Sequence, residues 1–289
     1  MNIYTNISFH ILVDNRFSEG YVQEHGFSLW IEALEHRVLF DTGQGFAFLR
    51  NTIKASIDLS TAHALVLSHG HYDHTGGVPE FLRCNIKAGV YFHPDALKTR
   101  YSVGNTTSPK DISIPSDAKD AIFNLPKHRT HLITRPTEIF PNIWLTGNIP
   151  RHHPLEDTGG PFYVDPEGKI PDSIDDDIAL WITTERGLII VTGCCHAGLI
   201  NTIEYIIQIS GNQNIRAIIG GFHLLNASQE RLEETMLYLK KRNAEFIIPC
   251  HCTGDKAVEL MQKKLGEKVI PGYAGLEFVI SDNKTIKRK

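Results

Sequence analysis

Ser68-His69-Gly70-His71-Tyr72-Asp73-His74 sets three imidazoles and a carboxylate within six residues, directly after the apolar run Ala64-Leu65-Val66-Leu67. The pattern recurs in simpler form further along. Leu188-Ile189-Ile190-Val191 leads to His196, Ala217-Ile218-Ile219 to His223, and Phe246-Ile247-Ile248 to His251. Each run is short and rich in β-branched residues, as strands are. If the four strands share a sheet and a direction, their carboxyl ends gather the histidines at one rim, where open α/β sheets bind ligands.

On a loop leaving a strand, His69 and His71 can grip one cation while Asp73 and His74 face a second. Imidazoles with one or two carboxylates favour Zn²⁺, one ion or two, with Mn²⁺ or Fe²⁺ as alternatives. The competing reading is a hydrogen-bonded structural network. Cys194 and Cys195 precede His196, and Cys250 and Cys252 flank His251. Thiolates also bind zinc, so a separate Cys-rich structural site competes with the plainer expectation of small buried residues at strand ends. Cys84, alone after a helix, is expected in the core.

Outward from the histidine loop, the first 40 residues read as three strands, at 7–13, 27–31 and 37–40, separated by turn residues. Phe46 to Lys54 has helical spacing, Pro79 opens a helix near 79–83, and 89–92 reads as a strand. The last third alternates cleanly. Strands at 178–183 and 188–191 flank the turn Glu185-Arg186-Gly187, and Leu199, Ile200, Ile203, Ile206 and Ile207 make an apolar helical face. A helix over about 227–242 opens on Asn226…Gln229, which has the form of a capping box. Another covers about 255–265, and 276–280 is a final strand. Strands at both ends with βα units between them predict an α/β fold in one domain, 1–289.

From about 94 to 175 prolines are frequent and periodicity is poor, apart from a strand at Ile143-Trp144-Leu145. The stretch reads as a loop-rich insertion over the site, since long loops in compact folds are usually functional. Its basic residues, among them Lys98, Arg100, Lys110 and Arg151, could line a pocket for an anion; a solvated surface is the plainer alternative. Arg151 is singled out because its fork matches phosphate oxygens in pairs. Tyr91, Phe92, Tyr101 and Phe162 are candidates to stack on a flat ring, against core packing.

With 29 Lys and Arg against 33 Asp and Glu, the chain has a formal charge of −4, which argues against nucleic acid as a partner. No run approaches the roughly 18 apolar residues of a membrane span. The basic end, 284–289, is expected to be solvated. No signal peptide is read at the start, and five cysteines do not form a disulfide framework, so a reducing cytoplasm is expected. The oligomeric state is left open.

Asp41-Thr42-Gly43, His69-x-His71-x-Asp73-His74, His196 and His251 resemble, in order, the motifs of the metallo-β-lactamase superfamily. The resemblance implies an αββα sandwich with metal between the sheet edges. It implies that His69, His71 and His196 hold a first metal and Asp73, His74 and His251 a second. Asp41 would steady a ligand histidine by hydrogen bonding. Asp14-Asn15, Glu24-His25-Gly26, Ile149-Pro150-Arg151, Asp176-Asp177, Thr192 to Gly198, Gly220 to Leu224 and His251 to Gly254 resemble one subfamily more closely. These are the 7,8-dihydropterin-6-ylmethyl-4-(β-D-ribofuranosyl)aminobenzene-5′-phosphate synthase-like proteins.

His223 stands where most of the superfamily carries the acidic residue that bridges two metals. A neutral imidazole does not bridge two cations readily. Either His223 is a terminal ligand of one metal, or it is a general acid or base, or only one metal is held tightly, against the reading as a core histidine; Asp176 or Asp177 is the fallback carboxylate. The implied activity is metal-dependent, on a phosphorylated or pterin-like small molecule. One version condenses a dihydropterin methyl diphosphate with an arylamine ribose phosphate. Asp73 and His223 would be the catalytic residues, and Arg151 and His223 the substrate contacts. The alternatives are a hydrolase of a phosphodiester or ester, and a pterin- or folate-binding protein without catalysis.

Overall fold

The computed structural model describes residues 6–33, 35–104, 108–281 and 286–288. It opens with β1 (Asn6–Val13), β2 (Ser28–Ala33) and β3 (His36–Phe40), paired antiparallel in that order. Helix α1 (Phe46–Lys54) crosses over to β4 (Ala64–Val66), parallel to β3. Two short helices, α2 (Tyr72–Thr75) and α3 (Val78–Cys84), lead to β5 (Gly89–Phe92), parallel to β4. The middle of the chain contains β6 (Tyr101–Ser102), β7 (Lys110–Asp111), α4 (Ser116–Phe123), β8 (Thr130–Leu132), β9 (Thr137–Phe140), β10 (Ile143–Leu145) and β11 (Phe162–Tyr163). The last part runs β12 (Leu180–Thr184), β13 (Gly187–Thr192), α5 (Leu199–Ser210), β14 (Ile215–Gly221), α6 (Gln229–Arg242) and β15 (Phe246–Cys250). It ends with α7 (Asp255–Leu265), β16 (Glu277–Ser281) and β17 (Ile286–Arg288).

These strands form two large sheets, in the orders β17-β16-β1-β2-β3-β4-β5-β8 and β15-β14-β13-β12-β10-β9, and a small one, β11-β6-β7. The inner faces of the large sheets meet in a shared core: Phe9, Ile31, Phe40 and Val66 on one side, Leu145, Ile182, Val191 and Ile219 on the other. Phe48, Phe81 and Ala118 of α1, α3 and α4 cover the outer face of the first sheet. Ile203, Met236 and Met261 of α5, α6 and α7 cover that of the second. Each sheet is thus apolar on both faces, as burial between helices and a partner sheet requires. The fold is the αββα sandwich.

Several expectations need correction. The four histidine-bearing strands do not share a sheet: β4 belongs to the first, and β13, β14 and β15 run parallel in the second. The histidines therefore meet across the sandwich rather than along one rim. The stretch read as a loop-rich insertion divides. Its strand β8 extends the first sheet and β9 and β10 extend the second, while β6, β7 and β11 form the small sheet. The strand expected at Ile143–Leu145 is β10, whereas β6, β7, β8, β9 and β11 are too short or too irregular to show alternation. The cap of α6 is Ser228, whose hydroxyl accepts from Arg231 N at 3.1 Å, not Asn226. Ile286–Arg288, expected as a solvated end, pair with β16. Cys84 is exposed at the end of α3 rather than in the core.

Candidate metal centre

The chain leaves β4 at Ser68 and turns over the sandwich edge through the histidine loop into α2. Gly70 is required there: a Cβ would lie 2.0 Å from the carbonyl oxygen of Ala96. The loop is pinned from below by Asp176, whose Oδ2 accepts from Gly70 N at 2.7 Å while Arg100 grips the same carboxylate at 2.9 Å. The turns after β3, β13, β14 and β15 complete the edge. Asp41, Cys195, His223 and His251 all hold positive φ there, between 45° and 64°. Such left-handed backbone costs about 1–3 kcal/mol per residue and is retained mainly at functional sites.

His69 Nε2 and His71 Nδ1 face each other at 2.9 Å. The ring of His196 approaches both, with centroids 4.8 and 4.9 Å away. Beside them lie Asp73, His74 and His251: Asp73 Oδ2 is 3.4 Å from His251 Nε2 and 4.0 Å from His74 Nε2. The structure thus brings His69, His71, Asp73, His74, His196 and His251 into one buried cluster. Asp41 lies where the resemblance implies, accepting from His74 Nδ1 at 2.7 Å and from Ser68 N and Oγ at 2.7 and 2.6 Å.

Four of the five histidines are oriented through the nitrogen that faces away from the cluster. His69 Nδ1 donates to Ser68 Oγ at 2.9 Å, itself committed to Asp41, and His74 Nδ1 to Asp41. His196 Nδ1 donates to the Thr158 carbonyl at 2.8 Å and His251 Nδ1 to Asn15 Oδ1 at 2.7 Å. On His69, His196 and His251 this leaves Nε2 as a lone-pair donor, the arrangement that metal-binding histidines adopt; His74 reaches it on giving up its Nε2 proton to an incoming ion. His196 Nε2 and His71 Nε2 are buried with no hydrogen-bond partner among the described residues. Buried unpartnered polar atoms are costly, so an inward-facing set of this kind fits a cation. Nitrogen-rich donors with one carboxylate and a nearby thiol suit Zn²⁺ or a similar divalent ion.

Electrostatics agree for His69 and His196, while His74 carries a proton that an incoming ion must displace. Burial, reinforced by the neighbouring imidazoles, pushes the pKa of His69 and His196 well down, so both are neutral, as ligands must be. Burial also opposes charge on His74, but the carboxylates of Asp41 and Asp73 outweigh it and hold its pKa at about 9. Burial opposes ionisation of Asp73 as well; His74, His25 and His251 overcome it and keep the carboxylate charged.

The residues sequence reasoning missed are those the backbone brings in from a distance. Cys194, expected either as packing or in a Cys-rich site apart from the histidines, has its Sγ 3.1 Å from His74 Nε2. Cys252 lies beside it. His25, on the loop between β1 and β2, reaches Asp73 Oδ2 at 3.1 Å. A cavity of about 190 Å³ opens over the cluster, lined by His71, Asp73, His223 and His251, with Lys110 and Phe162 among its other walls. Lys110 Nζ donates to Tyr72 Oη at 2.6 Å and lies 4.3 Å above the Tyr72 ring. Only the clustering of His25 with Asn15 and Glu24 in one closely matching motif hinted at that loop.

Other expected roles shift. Arg151 does not face the cavity; its guanidinium donates to the carbonyls of His196, Ser173 and Ile174, so its fork is turned to backbone rather than to phosphate. Arg100 is buried against Asp176 and Asp172. Asp177 accepts from Ala197 N at 2.7 Å, and burial lifts its pKa to about 6. Neither Asp176 nor Asp177 replaces the bridging carboxylate. His223 lines the cavity with its ring 4.3 Å from that of His196. Of the four aromatic candidates Phe162 reaches the site, 5.4 Å from the His71 ring. Tyr91 stacks on His131 and Phe92 is in the core.

The family profile described as "Metallo-beta-lactamase superfamily" matches residues 22–251. The chain is 30% identical over 285 residues to the 7,8-dihydropterin-6-methyl-4-(beta-D-ribofuranosyl)-aminobenzene-5'-phosphate synthase of Methanocaldococcus jannaschii, covering 93% of this chain and 95% of that protein. It is 35% identical over 250 residues to an uncharacterized protein of the same organism, covering 86% and 91%. Among solved structures, Tm1679, described as a metal-dependent hydrolase of the beta-lactamase superfamily, superposes with a TM-score of 0.79 at 31% identity, covering 96% of this chain and all of that one.

Proposed function

From the premise that the chain belongs to the metallo-β-lactamase superfamily, we propose that it is a metal-dependent enzyme acting on an anionic, ring-bearing small molecule. The preferred reaction joins an arylamine to a dihydropterin methyl diphosphate. One observation carries the reading: His71, Asp73 and His251 of the buried cluster line a single cavity that also presents a cation, Lys110, and an aromatic face, Phe162. His69, His71 and His196 would hold one ion, and Asp73, His74 and His251 a second, with Zn²⁺ first in order and Mn²⁺ or Fe²⁺ next. A bound divalent ion supplies Lewis acidity to a phosphoryl oxygen and lowers the pKa of coordinated water.

The chain's own residues do the rest. Asp73, kept ionised, is better suited to holding a cation and orienting a nucleophile than to taking a proton. Lys110, on the cavity wall, takes the place foreseen for Arg151 as partner of the diphosphate. Phe162 packs on the pterin ring. His223, on the cavity wall, accepts the amine proton as the C–N bond forms and the C–O bond to diphosphate breaks. Gly159 makes room for that imidazole, since a Cβ there would lie 1.9 Å from His223 Cδ2.

The similarity to Tm1679 favours a second reading, hydrolysis of a phosphodiester or ester by the same residues with water as nucleophile. No helix among the described residues is long and apolar enough to cross a membrane. Five free thiols are compatible with the cytoplasm.

The deciding experiment incubates the protein with a dihydropterin methyl diphosphate, an aminobenzene-type amine and each divalent ion in turn. Equimolar coupled product and diphosphate, abolished by chelator and by His71→Ala, is the expected result. Turnover of a chromogenic phosphodiester without coupling would favour hydrolysis. Tight pterin binding unaffected by chelator, with no product, would overturn both in favour of a binding protein.

A further inference from the structure

The donor atoms of the candidate centre do not stop at nitrogen and oxygen. Cys194 belongs to three of the four groups of close potential ligands among the described residues: with His69 and His196, with His74 and His251, and with His223 and Cys252. In each group the ligand atoms lie within 4.8 Å of one another. The backbone is shaped to place these sulfurs. Positive φ at Cys195 lets its neighbours Cys194 and His196 both reach the cluster, while its own thiol turns away to Thr202 Oγ1 at 3.4 Å. Positive φ at His251 does the same for Cys252, while Cys250 turns to the Ile248 carbonyl. Space is left open around the group: a Cβ on Gly221 would lie 2.6 Å from Cys252 Sγ, and one on Gly159 would strike His223. Cys194, Cys252 and His223 line the cavity; Cys195 and Cys250 do not.

We propose that Cys194 and Cys252 form a sulfur-bearing arm of the metal centre, beside His223. Cys194 is the donor common to both histidine sets, with His69 and His196 on one side and His74 and His251 on the other. This rests on the metal-dependent reading above and adds to it the class of ion, a thiophilic one such as Zn²⁺. Soft thiolates select against Mg²⁺ and Mn²⁺. Each thiol that binds gives up its proton to solvent, so loading releases protons.

The test is titration of Co²⁺ into chelator-stripped, reduced protein, followed by absorption. A near-ultraviolet sulfur-to-cobalt charge-transfer band is expected to grow with added ion. Cys194→Ser should abolish it, Cys252→Ser should weaken it, and Cys195→Ser should leave it unchanged, with circular dichroism checking each fold. Cobalt that binds with visible ligand-field bands alone would overturn the sulfur arm and leave the histidine centre standing. No retained cobalt would overturn both. Should Cys194→Ser fail to fold, X-ray absorption of the zinc-loaded wild type gives the same answer: a sulfur shell at about 2.3 Å supports the proposal, and nitrogen and oxygen alone overturn it.

Discussion

Asp41 Oδ2 lies 2.7 Å from His74 Nδ1, and both side chains are completely buried. The same carboxylate accepts the amide and hydroxyl of Ser68, so one residue at the end of β3 fixes both the start of the histidine loop and the imidazole at its end. Asp41→Asn replaces an acceptor by a donor toward His74. Divalent-ion affinity should fall about 10–100-fold, the usual cost of losing such a partner, as read by competition with a chromogenic chelator. Unchanged affinity would mean that His74 needs no such orientation.

Arg100 and Asp176 form a buried pair beneath the histidine loop, with side-chain exposures of 1% and 0%. Arg100→Met leaves Asp176 charged and partly unpaired. Urea unfolding of the metal-free protein should show a loss of about 3–5 kcal/mol. Arg100→Met with Asp176→Leu should lose less than the sum of the single variants.

Lys110 is an exposed residue of β7, and its side chain contacts Tyr72. Lys110→Met should leave stability within about 0.5 kcal/mol. It should raise KM for a diphosphate substrate with less effect on kcat. An unchanged KM would remove Lys110 from the substrate site.

Asp14 accepts from Arg16 N and His251 N, and its burial lifts its pKa from 3.8 to about 7. The folded state therefore binds this proton more tightly than the unfolded chain. Its contribution is fully present below about pH 4 and is lost as pH rises through 7. In the metal-free protein, wild type should lose about 2 kcal/mol relative to Asp14→Asn between pH 5 and 7, and little more above. Denaturant melts across that range read the slope; parallel curves would contradict the shift.

Much of this was legible in sequence because ligand chemistry demands particular side chains at strand ends. The histidine loop, the runs before His196, His223 and His251, the helical face of α5 and the span of α7 all read directly. What could not be read depends on approach between distant segments. A strand's local pattern does not encode which sheet it joins, so β4 and β13 looked like neighbours although they face each other across the core. Arg151 looked like a phosphate clamp because nothing local shows that the carbonyls of Ser173, Ile174 and His196 surround it. Arg100 looked like surface because its partners lie more than 70 residues away. Cys194 looked like packing because its closeness to His74 and Cys252 arises only when both sheet edges meet.

The most direct measurement is anomalous X-ray scattering from crystals of the zinc-loaded protein. The account predicts a zinc peak within bonding distance of His69, His71 and His196. Well-ordered crystals with zinc bound only elsewhere, and these three imidazoles hydrogen-bonded solely to one another, would contradict it.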